Sequence, residues 1–171
     1  MQGVAFKRRL QVRWVSFIAD FLLVGMVVGP VIAPFLAASG VWLFEGIADI
    51  IYFMGNHVCP QPTMGLDLAP PFLMAVCMRC YGTVTGLLIT RLLYGVTLGK
   101  GFYWLSRYGW SGAVLASVLM MAYALELAAQ VLGWWGFNNY VVTTFGLITG
   151  LAWGLFTMPI LHRRSSKVWI G

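Results

Sequence analysis

Residues 15–39 read VSFIADFLLVGMVVGPVIAPFLAAS, and Asp20 is the one charged side chain in this stretch. About 20 apolar residues are enough for a helix to cross the hydrocarbon core of a bilayer. The apolar core of a secretory signal peptide is shorter, about 7–15 residues, so we expect this segment to be a retained membrane span. Pro30 and Pro34 each remove a backbone donor and predict a kink in the helix.

Three more apolar stretches of similar length follow, at residues 72–96, 110–132 and 140–161. The 171-residue chain is 60% hydrophobic and 9% charged, whereas a soluble domain is typically about a quarter charged. A surface this poor in polar groups needs an apolar solvent. We therefore predict an all-α fold: a single membrane domain over residues 1–171, built as a bundle of four transmembrane helices whose first span is residues 15–39.

The basic residues outside the predicted spans occur in every second segment that precedes, joins or follows the spans. They fall in residues 1–14, in the loop before residue 110 and in a tail at residues 162–171, whereas residues 55–71 and 133–139 contain none. Cytoplasmic segments carry the excess of Lys and Arg, so both termini are predicted to be cytoplasmic. Membrane topology therefore explains the net charge of +6. Because the charge needs no other explanation, no nucleic-acid partner is predicted.

Residues 41–54 differ because they carry two acidic side chains four apart, Glu45 and Asp49, within an otherwise apolar helical period. We predict a short outer amphipathic helix that lies on the membrane surface or packs under the next loop. The alternative is a continuation of the first span that bends at Gly40. Residues 55–71 contain several helix-stopping prolines and are predicted to form an outer loop.

Small residues recur at four-residue spacing in two of the predicted spans. This spacing lets helix backbones approach closely, so it predicts helix packing rather than a function. The glycines concerned are Gly82 and Gly86 in the second span, and Gly146, Gly150 and Gly154 in the fourth.

Three cysteines fall in one region: Cys59 in the outer loop, and Cys77 and Cys80 in the second span. Residues three apart share a helix face, so Cys77 and Cys80 can point at one ligand. Together with Cys59 and the nearby His57 they make a candidate tetrahedral metal set, for zinc or iron. Two other interpretations stay open. One is disulfide exchange by the Cys77–Cys80 pair with Cys59 as relay, and the other is a structural disulfide or simple packing of small apolar side chains.

Ionisable side chains within the predicted spans form two candidate pairs. Arg79 lies about eight residues into the second span, roughly 12 Å from its outer end, and Glu126 lies roughly 9 Å from the outer end of the third, with Gln130 one turn above it. Asp20 and Arg91 lie near the cytoplasmic end. Charges inside a membrane are usually paired, and each pair is either structural or part of a proton or ligand path. Arg79 also lies between the two cysteines, where a positive charge favours thiolate.

The sequence CPQ at residues 59–61 and CMRCYG at residues 77–82, followed by Glu126 and Gln130, resembles a known family. It is the group of small bacterial and archaeal membrane proteins called domain of unknown function 2085, whose pattern is C-H-Q followed by C-x-R-C-x-G. The resemblance runs over about residues 55–154 and implies no function. It implies one outer-side site that contains Cys59, Gln61, Cys77, Arg79, Cys80, Glu126 and Gln130. Pro60 stands where the family has histidine, so either His57 substitutes for it or this member has lost the site.

The sequence contains no recognisable Ser-His-Asp set or phosphate-binding loop, so enzymatic activity is not the leading expectation. We expect a small accessory or assembly subunit of a larger membrane complex, with its outer loop pinned by the cysteine cluster. Its expected partners are the lipid bilayer and other membrane subunits, in a prokaryotic cytoplasmic membrane or an internal energy-converting membrane. The alternatives are a quinone-coupled thiol–disulfide oxidoreductase and a small transporter or channel.

Overall fold

A computed structural model describes residues 2–97 and 101–162, which are mainly helical. The predicted basic tail from residue 163 onwards and Lys100 lie outside the described residues. The helices are α1 (Gln2–Ala37), α2 (Trp42–Val58), α3 (Met78–Thr97), α4 (Trp110–Val131) and α5 (Asn139–Leu161). The connections contain 3-10 turns at Pro62–Met64 and Leu105–Tyr108, and a hairpin of strands β1 (Asp67–Ala69) and β2 (Phe72–Leu73).

α2 is a separate helix that turns back along α1. The chain reverses after Ala37, where Gly40 adopts a φ of +68°, a left-handed conformation that glycine accepts without strain. The Cγ2 atom of Ile51 lies 3.8 Å from where a Cβ atom on Gly29 would stand. Because these two residues are similarly far from the turn, the helices form an antiparallel pair. The alternative of one bent, continuous span is therefore wrong, and α2 continues past residue 54 to Val58.

The β1–β2 hairpin moves the start of the helix that was predicted for residues 72–96. The strands pair antiparallel on either side of Pro70 and Pro71, and α3 begins only at Met78. Two prolines are compatible with a helix start, but they also suit a tight turn because their φ is fixed and they donate no hydrogen bond. The hairpin departs from the all-α prediction. Arg79 lies in the first turn of α3, whereas it was predicted to lie about two turns into the second span.

The close packing of the bundle is centred on α5, which contacts both α3 and α4. Glycines allow α3 and α5 to approach: a Cβ atom on Gly86 would stand 2.7 Å from both the carbonyl oxygen of Leu147 and the nitrogen of Leu151. A cluster of buried apolar side chains closes the opposite end of the bundle from the cysteines. It contains Leu23, Val84, Trp104 and Met158. The α3–α5 contact holds all five glycines of the predicted packing set, which are Gly82, Gly86, Gly146, Gly150 and Gly154.

Three helices in the described part of the chain are long and apolar enough to cross a membrane: Ser16–Ala37 within α1, α4 and α5. α3 has 20 residues, which corresponds to about 30 Å at 1.5 Å per residue. Its two arginines and four threonines make it more polar than the other three. The chain is thus an integral membrane protein with three candidate spans, and the fourth span and the side of each terminus stay predictions.

Large apolar side chains cover much of the outer surface. Within the protein, only 17% of the candidate span of α1 and 22% of that of α4 are buried. Soluble monomers rarely expose contiguous apolar patches larger than a few hundred Å². The exposed faces of these helices therefore suit contact with lipid, which agrees with the partner predicted from composition.

Candidate thiol site and its buried ion pair

Cys59, Cys77 and Cys80 meet where α2 ends and α3 begins. Cys59 is the first residue after α2, and its N–H donates to the carbonyl of Gly55 at 2.8 Å. Cys77 comes directly before α3, and its carbonyl accepts from the N–H of Tyr81 at 3.0 Å. The three Sγ atoms all lie within 4.8 Å of one another. Two of the thiols thus stand at the N-terminus of α3, where free N–H groups and the helix dipole favour negative charge.

The three cysteines, all within the described residues, are free thiols in a largely enclosed position. Cys59 and Cys77 are buried and Cys80 is half-buried. The N–H of Cys77 donates to Cys59 Sγ at 3.3 Å. Hydrogen bonds from the Cys77 thiol, and next from the Cys80 thiol, hold the pKa of Cys59 well below its usual range. The neighbouring thiols thus favour the thiolate form of Cys59, which is the form that binds metals and attacks disulfides.

His57, the predicted fourth ligand, is not part of this cluster. Its Nδ1 atom lies 2.7 Å from the carbonyl oxygen of Phe53, and its ring packs against that of Phe53 with centroids 4.3 Å apart. The reason is local, because α2 stays helical to Val58 and holds His57 on an exposed face while the chain turns inward at Cys59. Among the described residues, the cluster of potential metal ligands at this position consists of the three thiols.

Arg79 is fully buried, and its guanidinium joins the Cys59 segment to α4. Its Nε atom donates to Oε2 of Glu126 in an ion pair in which both side chains are fully buried. Its Nη1 atom donates to Oε1 of Gln61 at 3.1 Å, and its Nη2 atom donates to Oε1 of Gln130 at 2.5 Å. A buried charge needs such partners because its loss of hydration is otherwise uncompensated. The structure thus brings together four residues that the family resemblance had assigned to one site.

Tyr123 belongs to the same site, although it was not predicted from the sequence. Its hydroxyl oxygen lies 3.4 Å from Cys80 Sγ. The guanidinium carbon of Arg79 lies 5.6 Å from the centroid of its ring, within the range of a cation–π contact. A signal was available, because Tyr123 precedes Glu126 by three residues and Gln130 by seven, the spacing of a single helix face.

A second polar cluster ties α1 to the other end of the bundle. Arg91 donates from Nε and Nη2 to the two carboxylate oxygens of Asp20 at 2.5 and 2.6 Å. The Nε2 atom of His162, which follows α5, lies 2.9 Å from Oδ1 of Asp20. Burial, and next the charge of Arg91, lower the pKa of His162. His162 was not identified from the sequence, where it reads as part of a polar tail.

The fold and the two polar clusters define a class: a small polytopic helical membrane protein with a buried thiol and arginine–carboxylate site at one end. The model of the family described as "Predicted membrane protein (DUF2085)" matches residues 71–156, half of the chain. The chain belongs to this family, which confirms the resemblance drawn from its cysteine and arginine pattern. The segment that carries Cys59 and Gln61 precedes the matched region. Neither the curated proteins nor the solved structures gave a match.

Proposed function

We propose that this chain is a small accessory or assembly subunit whose outer end is pinned by one metal ion bound to Cys59, Cys77 and Cys80. The observation that carries the proposal is the approach of the three sulfur atoms to within 4.8 Å of one another. Thiolates are soft ligands that favour zinc and iron over magnesium or calcium. The position of two thiols at the N-terminus of α3 supports the deprotonated form that such a metal requires.

The sulfur spacing fits a single ion. Two thiolates on a tetrahedral ion, each about 2.3 Å from it, stand about 3.8 Å apart. Closing the present separations, which reach at most 4.8 Å, therefore takes about 1 Å of movement. Three thiolates leave one coordination position for water or for a donor atom from a partner, as three protein ligands do in open zinc sites.

Such an ion would connect segments that are far apart along the chain. Cys59 follows α2 and Cys77 precedes α3, so a shared ion closes the loop that contains the hairpin. A cross-link over a loop of this size stabilises the fold by about 3 kcal/mol in the chain-entropy model. A segment held in one position presents a constant surface to a neighbouring subunit, which supports a docking role.

The first test is the metal and thiol content of protein purified in mild detergent without reductant. We expect about one zinc or iron per chain, with all three cysteines reactive to thiol reagents once the protein is denatured with a chelator. Cys59→Ser, Cys77→Ser and Cys80→Ser should each lose the metal. His57→Ala is the matched control and should keep the metal, because the His57 ring is hydrogen-bonded to the backbone of its own helix. Wild-type protein without metal would contradict the proposed site.

The accessory role needs a separate test, by measuring the size of the protein in its native membrane extract. We expect a complex larger than one chain that is lost, or altered in composition, in the three cysteine variants and kept in His57→Ala. A stable monomer that turns over a substrate by itself would exclude the accessory role.

A second candidate function is disulfide formation coupled to a quinone. It is supported by the Cys77–Cys80 pair across the first turn of α3, with the Cys59 thiol within exchange distance. In this reaction the two thiols become a disulfide, and two electrons and two protons reduce a quinone to a quinol. The disulfide then passes through Cys59 to a client dithiol. Unchanged disulfide formation in client proteins in cells that carry Cys77→Ser or Cys80→Ser would exclude this function.

A further inference from the structure

Tyr123 is the side chain through which α4 contacts the thiol site. Its hydroxyl oxygen is 3.4 Å from Cys80 Sγ, and its ring lies under the guanidinium of Arg79. Tyr123, Glu126 and Gln130 share one face of α4. This face therefore turns three polar groups towards the N-terminus of α3, on a helix that is otherwise strongly apolar.

The chemistry of the contact fixes the direction of the hydrogen bond when a metal is bound. A metal-bound thiolate has no proton and can only accept, whereas the tyrosine hydroxyl has one to donate. Three thiolates around a divalent ion carry a net negative charge, and a donor hydrogen bond to sulfur stabilises that charge where the site is largely shielded from water. The Arg79 guanidinium does not supply this hydrogen bond to sulfur, because it donates to Gln61, Glu126 and Gln130 instead.

We propose that Tyr123 is a positioning residue of the metal site, whose hydroxyl donates a hydrogen bond to the Cys80 thiolate and raises the affinity for the ion. This inference rests on the proposed function, because it needs a metal at the three thiols. It also makes α4 part of the site, so that metal binding and the position of α4 on the bundle are linked.

The test is Tyr123→Phe, which keeps the ring beneath the Arg79 guanidinium and removes the hydroxyl alone. Zinc affinity is measured by competition with a chelator in mild detergent, and cobalt(II) replaces zinc for spectroscopy. We expect zinc binding to weaken by about 10–100-fold, the usual effect of losing a partner of a metal ligand. We also expect the sulfur-to-cobalt charge-transfer band to move to longer wavelength, because a thiolate without its donor is easier to oxidise.

Tyr140→Phe is the matched control, since Tyr140 is 86% exposed on α5, and it should leave affinity and spectrum unchanged. If Tyr123→Phe binds zinc like the wild type, the inference is wrong and the proposed metal site stands. If the wild type binds no zinc or cobalt, the proposed function fails and the inference fails with it. A lower unfolding temperature of metal-free Tyr123→Phe, with unchanged spectrum when loaded, would assign the hydroxyl a purely structural role and also overturn the inference.

Discussion

Arg79 is a buried positive charge that has one carboxylate to balance it, on Glu126. Glu126→Gln keeps the shape of the side chain but leaves the guanidinium charge uncompensated, and breaking a buried pair in this way costs about 3–5 kcal/mol. We expect a loss of that size in the free energy of unfolding, measured by helix content against the mole fraction of SDS. Glu45→Gln, at an exposed position on α2, should change little. Equal stability of the two variants would show that the ion pair is not needed.

At the residue scale, the thiols and the buried charges could be predicted from the sequence, because polar groups are scarce in this apolar chain and need partners within the protein. For two residues this reasoning was not sufficient, because their positions depend on the tertiary structure. His57 is close to Cys59 along the chain, but the last turn of α2 carries it to the surface. Tyr123 shares a helix face with Glu126 and Gln130, but this spacing does not name a partner for its hydroxyl, which the approach of α4 to α3 supplies.

At the scale of elements, the spans followed from the length of the apolar stretches and α2 from its apolar period, whereas two boundaries depended on pairing and packing that the pattern does not specify. Pro70 and Pro71 are compatible with a helix start and with a turn, and strand pairing between β1 and β2 selects the turn. α2 buries Ala48 and Gly55 and folds back along α1. Its amphipathic pattern predicted a helix but did not specify the surface that the helix would contact.

The α3–α5 contact permits a matched test, because lipid gives apolar helix faces no preference for each other and close packing must hold the pair together. A methyl group on Gly86 would collide with the backbone of α5, while one on Gly25 of α1 would meet nothing within 4 Å. We expect Gly86→Ala to lower the free energy of unfolding in SDS by about 1–3 kcal/mol. Gly25→Ala should leave it unchanged or raise it by about 0.5–1 kcal/mol. Equal effects at the two positions would contradict close packing of α3 on α5.

At the scale of the whole molecule, the two polar clusters lie at opposite ends and both involve α3. Arg79 connects the N-terminal end of α3 to α4 and to the Cys59 segment, and Arg91 connects α3 to α1 nearer its C-terminal end. A helix with arginines is expensive to place in a membrane unless those charges are paired inside the protein. The partners of both arginines come from neighbouring segments of the protein, so the polarity that separates α3 from the three candidate spans is compensated within the bundle.

The number of spans decides on which side the C-terminus lies, and this gives the sharpest test of the topology. If α1, α4 and α5 are the spans, the two termini lie on opposite sides of the membrane. If α3 also crosses, as its length of 20 residues allows, both termini lie on the same side. The excess of basic residues at both ends favours the second arrangement.

We expect green fluorescent protein to fluoresce at either terminus and alkaline phosphatase to be active when inserted at Gly136. A fluorescent N-terminal fusion together with a dark C-terminal fusion and an inactive phosphatase at Gly136 would mean that α3 does not cross, which would contradict its packing along α5 and its Arg91–Asp20 pair with α1.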